Sequence, residues 1–136
     1  METFSTKTLI NLSNTMLFET MSNPQNIAYC LSDQVQGFLV MEDRCSFTVE
    51  NIAKVSLKVL EKTPCTMIRF TAENDRDIPI FLTLNFTTIS ENETDVTAEL
   101  KVDIPIFLRP VLQRHLQRFT NTLSERIKTD TEKLRP

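Results

Sequence analysis

The spacing of hydrophobic positions changes twice along the chain. Thr6 to Leu12 alternates loosely and is rich in β-formers, which predicts a first strand over residues 5–12. Ser13 can cap a short helix over 14–22 whose face carries Met16, Leu17 and Met21. Asn23-Pro24 interrupts it. Asn23 as cap and Pro24 in the first turn predict a second helix over 24–32, with Ile27, Ala28 and Leu31 on one face and Ser32-Asp33 at its end.

From Gly37 to Asp103 the period falls to two. Phe38 to Met41 reads as a strand. Cys45, Phe47 and Val49 then alternate with polar neighbours, as do Val55, Leu57 and Val59, then Ile68 and Phe70. Ile80, Leu82, Leu84 and Phe86 follow, and then Val96, Ala98, Leu100 and Val102. Polar turns separate these runs, at Glu42-Asp43-Arg44, Lys62-Thr63-Pro64, Glu73 to Asp77 and Glu91-Asn92-Glu93. Short alternating strands between tight turns predict an antiparallel meander with one dry face. Beyond Pro105 and Pro110 the period returns to 3.6. Leu112, Leu116, Phe119, Leu123 and Ile127 form one stripe on a long helix over about 107–130. A sheet with one dry face must be covered, and this helix is the only element long enough. The expected architecture is a single α+β domain over residues 1–136. A curved antiparallel sheet of about six or seven strands wraps one long C-terminal helix, with two short helices after the first strand.

Composition narrows the chemistry. The chain has 136 residues, a formal net charge of −3 and one glycine, Gly37. Phosphate-cradling loops need several glycines, so P-loop and Rossmann readings lose their basis. A mildly acidic chain has no global attraction to nucleic acid, and no nucleic-acid partner is expected. Cys30, Cys45 and Cys65 are odd in number and widely spaced, which points away from a disulfide framework or a zinc site. The first residues lack the basic and apolar stretches of a signal peptide, and no run is long enough to span a membrane. A cytoplasmic protein with no stable membrane insertion, no metal and no cofactor is the expectation. Charge is unevenly shared. Residues 107–136 hold seven basic and three acidic residues, and residues 1–106 hold eight basic and fifteen acidic.

The element order also carries a resemblance. Asn14 to Ile27, with Asn23-Pro24-Gln25-Asn26 entering the second helix, resembles the first helices of the START/Bet v 1-like (SRPBCC) superfamily, where Asp often stands at the place of Asn23. Cys45-Ser46-Phe47-Thr48-Val49, the strand of Val55, Leu57 and Val59, and Asp103 to Pro110 are similar to a compact bacterial branch of it. The resemblance covers the whole chain and its motifs are structural. It implies the helix-grip fold and a hydrophobic small-molecule partner, lipid-like, polyketide-like or quinone-like, held between sheet and helix. A minority of the superfamily are enzymes such as aromatase/cyclases.

The inward parity gives candidate cavity residues: Val55, Leu57, Val59, Ile68, Phe70, Leu82, Leu84 and Phe86 from the strands, and Leu112, Leu116 and Phe119 from the helix. Three polar side chains are candidate ligand contacts, each with a plainer reading. His115, the single histidine, is either a rim residue or a cavity residue. Arg69 alternates with Ile68 and Phe70, which puts it on the outer face unless a bulge turns it inward to hold an anionic group. Tyr29 is a packed tyrosine or a hydrogen-bonding one at the mouth. No catalytic residue is assigned: Asp95, Glu99 and Asp103 share the outward parity of their strand. Three functions follow. The first is a carrier of an apolar or amphipathic molecule. The second is an interaction module with a filled core, built as a homo-oligomer on exposed strand edges. The third is a cyclase-like enzyme.

Overall fold

The computed structural model describes residues 1–31, 35–49 and 53–134. The chain runs β1 (Glu2–Ile10), α1 (Asn14–Met21), α2 (Pro24–Cys30), β2 (Gln36–Val40), β3 (Arg44–Val49), β4 (Ala53–Thr63), β5 (Met67–Asn74), β6 (Ile80–Ser90) and β7 (Glu93–Val102). A 3-10 turn (Ile106–Leu108) then leads into α3 (Arg109–Glu132). The seven strands form one antiparallel sheet in the order β1-β7-β6-β5-β4-β3-β2. This is the curved sheet, long C-terminal helix and pair of short helices that the periodicity implies.

The local chemistry explains the joints. The Ser13 hydroxyl accepts the Met16 backbone N–H at 3.4 Å, and Asn23 Oδ1 accepts that of Gln25 at 3.0 Å, so each side chain caps its helix. Pro24 and Pro110 sit in first turns, where a missing N–H costs nothing. β1 begins at Glu2, ahead of the expected residue 5, because its whole length pairs with β7 from Glu2↔Val102 to Ile10↔Thr94. The expected end of the second helix, Ser32-Asp33, lies outside the described residues.

The dry face is made by the even positions of β5, β6 and β7, which include the buried Ile68, Phe70, Leu82, Leu84, Val96, Ala98 and Leu100. Thr83 breaks the alternation. It is outward by parity yet buried, between Arg69 and Glu99 on the neighbouring strands. The register of β4 against β5 shifts between Val59 and Glu61, so the inward row of β4 stops at a half-buried Val59. At the far edge, every residue of β2 is exposed, Leu39 and Val40 among them.

Helix α3 packs chiefly on β1 and crosses the dry face with Leu112, Leu123 and Ile127 buried. Polar residues also lie on its buried side. Ser124 and Thr8 share a hydrogen bond between their hydroxyls, and Thr120 and Thr131 donate back to the carbonyls of Leu116 and Ile127. At the end of α3, one Glu132 carboxylate oxygen accepts the Asn11 backbone N–H and the Lys128 ammonium, each at 2.8 Å, while Lys128 also donates to the Leu9 carbonyl. These bonds hold the carboxyl below its ordinary value of 4.5. A carboxyl depressed in the folded state contributes stability above its ordinary pKa and loses it as the pH falls through the folded one. Glu132→Gln should therefore lower Tm by about 2–4 °C near neutral pH, for a partly exposed clamp contributing about 1 kcal/mol. In thermal melts run at descending pH, the gap between the two proteins should close below about pH 4.5.

Candidate functional site

The cup is not filled evenly. At one end α1 packs on β5 and β6, where Phe18 meets Phe86 edge-on at 5.9 Å and Leu17 and Met21 are fully buried. At the other end a cavity of about 80 Å³ remains between the sheet and the middle of α3. Its floor is Phe47 and Val49 of β3, Val55 and Leu57 of β4, and Leu82 and Leu100 of β6 and β7. Its roof is Leu116, Phe119 and Leu123 of α3, with Ile27 and Leu31 from the α2 side.

The void has a local cause. Two inward positions carry alanine: Ala72, paired with Leu57, and Ala53, paired with Val49. Small side chains there leave room that the neighbouring leucines do not fill. The walls present no polar surface to the space. Thr120 lines it, but its hydroxyl is spent on the Leu116 carbonyl at 2.8 Å. Water needs two or more polar partners to settle in a cavity, so this space is suited to carbon.

Between two lining residues, Ala72 and Ile80, the chain makes a tightly bonded loop. Asn74 organises the turn after β5: its amide donates to the Ala72 and Ile78 carbonyls, and its Oδ1 accepts the backbone N–H groups of Arg76 and Ile78. Asp75 fixes that turn to the start of β4 by accepting the Lys54 N–H at 3.1 Å. The Asp103 N–H donates to the Pro79 carbonyl, which joins the β7–α3 connection to the same turn.

Of the residues expected to line a cavity, Val55, Leu57, Leu82, Leu116 and Phe119 border this one. Ile68, Phe70, Leu84 and Phe86 are buried without lining it, although Ala72 and Leu82 of the same two strands do, and Phe86 is met instead by Phe18 of α1; Val59 flanks the β4 bulge, and Leu112 is buried without reaching the space. Among the three polar candidates, His115 lines the cavity from an exposed position at its edge. Arg69 stands on the outer face despite the bulge nearby. Its Nε donates to Thr83 at 3.3 Å and its guanidinium lies 3.6 Å from Glu61, within a row that continues through Glu99 to Ser5. Tyr29 is exposed beside a shallow groove with Cys30 and Asp130, away from the cavity. The candidate set had left out the other lining residues: Phe47, Val49, Ala53, Ala72, Ile80 and Leu100 of the sheet, and Ile27, Leu31, Thr120 and Leu123 of the helices. The signal was there for Ala72, which continues the inward row of Ile68 and Phe70.

A START superfamily protein from Mycobacterium smegmatis superposes with a TM-score of 0.73 at 11% identity, over 97% of this chain and 98% of that one. A truncated norcoclaurine synthase from Thalictrum flavum gives 0.76 at 7%, over 96% and 92%. A protein from Thermus thermophilus gives 0.66 at 21%, over 96% and 99%. The chain has the START-like helix-grip fold. No family model and no curated protein matches the sequence. Within the START-like frame the cavity lies between the sheet and the C-terminal helix. No helix of the described residues is long and apolar enough to cross a membrane, and no group of three His, Cys, Asp or Glu side chains among them could hold a metal ion.

The cysteines stand apart from the cavity. Burial, reinforced by the Asp130 charge, pushes the Cys30 thiol up to about 12, and burial raises Cys45 as well. Cys65 is only partly covered, in a turn where its own φ is 57°. Since the thiolate is the reactive species, an aromatic disulfide reagent at pH 8 should titrate Cys65 in the folded protein. Cys30 and Cys45 should react only after denaturant is added.

Proposed function

We propose that the chain binds a hydrophobic or amphipathic small molecule, with its apolar part in the cavity under α3. The observation that supports this most is a void with wholly apolar walls between the sheet and α3. The START-like neighbours belong to a superfamily that binds hydrophobic ligands, which agrees with this reading. Its size constrains the ligand. About 80 Å³ holds a short chain segment or a small ring and is well below the 300–1,000 Å³ of typical drug-sized pockets. A larger ligand would extend past His115 toward solvent, so an amphipathic molecule with its polar end at the rim fits better than a wholly apolar one. A cyclase-like activity would need converging polar groups, and among the described residues the cavity offers only His115 at its edge and a spent Thr120.

Ala72→Leu adds carbon inside the void while keeping the wall apolar. The test is native mass spectrometry of the purified protein beside a denatured extract, with a fluorescent fatty-acid probe as the titrant. The expected result is retained apolar material or micromolar probe binding, weakened at least tenfold by Ala72→Leu at unchanged or raised Tm. A protein that holds nothing, takes up no probe from a fatty-acid, quinone and polyketide panel, and is indifferent to Ala72→Leu would end the proposal.

One observation favours a second reading, self-association through the sheet edge. The outer side of β2 is an open strand edge, and Gln36 to Val40 contains no charge to discourage pairing. Sedimentation velocity at rising concentration should show a dimer that Leu39→Lys with Val40→Lys returns to monomer. A monomer at every concentration would exclude it.

A further inference from the structure

The turn into α3 carries three large apolar side chains that nothing among the described residues covers. Ile106 and Phe107 are each 79% exposed and Val111 is 70% exposed. Pro105 and Pro110 bracket Ile106 and Phe107, and Val111 follows Pro110 in the first turn of α3, so all three are held out on a stiff segment. From Phe107 the exposed residues Val111, Arg114 and Arg118 follow at spacings of four, three and four, which puts them along one outward stripe of the helix. The stripe is apolar at its tip and cationic over the next two turns. Residues 104–124 contain no aspartate or glutamate and three arginines. Arg109 is engaged by Glu2 at 3.3 Å, which leaves Arg114 and Arg118 as the exposed cations of the stripe.

We infer that this end of the molecule docks on an anionic lipid bilayer, with Ile106, Phe107 and Val111 entering the headgroup boundary and Arg114 and Arg118 meeting lipid phosphates. Two apolar residues in tandem, a third one turn on, and cations set back from them are what an interfacial anchor requires. A neutral protein partner would not call for that charge. Glu2, the acid that touches this end of α3, is engaged by Arg109 at 3.3 Å and by the Gln113 amide at 3.2 Å, and neither of those residues belongs to the stripe. His115 follows Arg114 and lines the cavity, so the docked face lies beside the rim. The inference does not depend on the cavity being occupied, and its test needs no ligand.

The test is flotation of the full chain with vesicles of phosphatidylcholine alone and of phosphatidylcholine with an equal amount of phosphatidylglycerol. The chain should float with the anionic vesicles and not with the neutral ones, and added salt should release it. Phe107→Glu with Val111→Glu should reduce partitioning on the order of tenfold or more. Arg114→Gln with Arg118→Gln should reduce it about 30-fold, from the usual attraction of each cation near an anionic surface. Both pairs are exposed, and circular dichroism checks that each variant keeps its fold. No flotation with either vesicle overturns the inference. So does flotation indifferent to both pairs of substitutions, since the contact then lies elsewhere. A dimer in sedimentation that Phe107→Glu abolishes, with no vesicle binding, would assign the face to a second copy of the chain instead.

Discussion

One helix has to cover the dry face of a seven-stranded sheet, and its cover is incomplete. An antiparallel sheet that is wet on one side must bury the other, and here α3 is the only long helix among the described residues. Its last turns succeed: the buried Ile127 and the Glu132 and Lys128 bonds close it onto the end of β1, with α2 packed alongside. Its middle turns carry Leu116 and Phe119, which are only half buried. The sheet beneath them offers Ala53 and Ala72. The cavity follows from these two shortfalls meeting at one place.

The fold was legible because its signals are long and repeated. Four inward residues in a row on β7, Val96 to Val102, fix that strand's face without any tertiary knowledge, and the stripe from Leu112 to Ile127 does the same for α3. The caps at Ser13 and Asn23 work through side chains that bond within two or three residues, so they too could be read directly. What the sequence could not show was which inward residues would be touched by something else. Leu82 and Phe86 share a strand and a parity, yet Phe18 of α1 packs on Phe86 while Leu82 faces the void. That difference depends on where α1 lands, far away in sequence. Thr83 and Ser124 show the same limit, since their burial is set by neighbours on other strands and by Thr8. Arg69 went the other way: parity alone placed it outside, and the bulge at Val59 did not change that.

Selectivity is the remaining physical question, and the walls bear on it directly. A hydrophobic pocket separates ligands that differ by one methylene by only about 1–3 kcal/mol, and it rejects an added hydroxyl poorly. Strong discrimination arises where a buried polar group would be left unpaired, and this cavity shows no such group. For a ligand of the proposed kind, chemical selection would act at the edge of the cavity, on the part that the cavity cannot swallow. There the structure places His115. The interior would then set the girth of what enters, and the edge what kind of polar end is kept. A small void with featureless walls is thus consistent with selective binding, provided the ligand is amphipathic and longer than the cavity is deep.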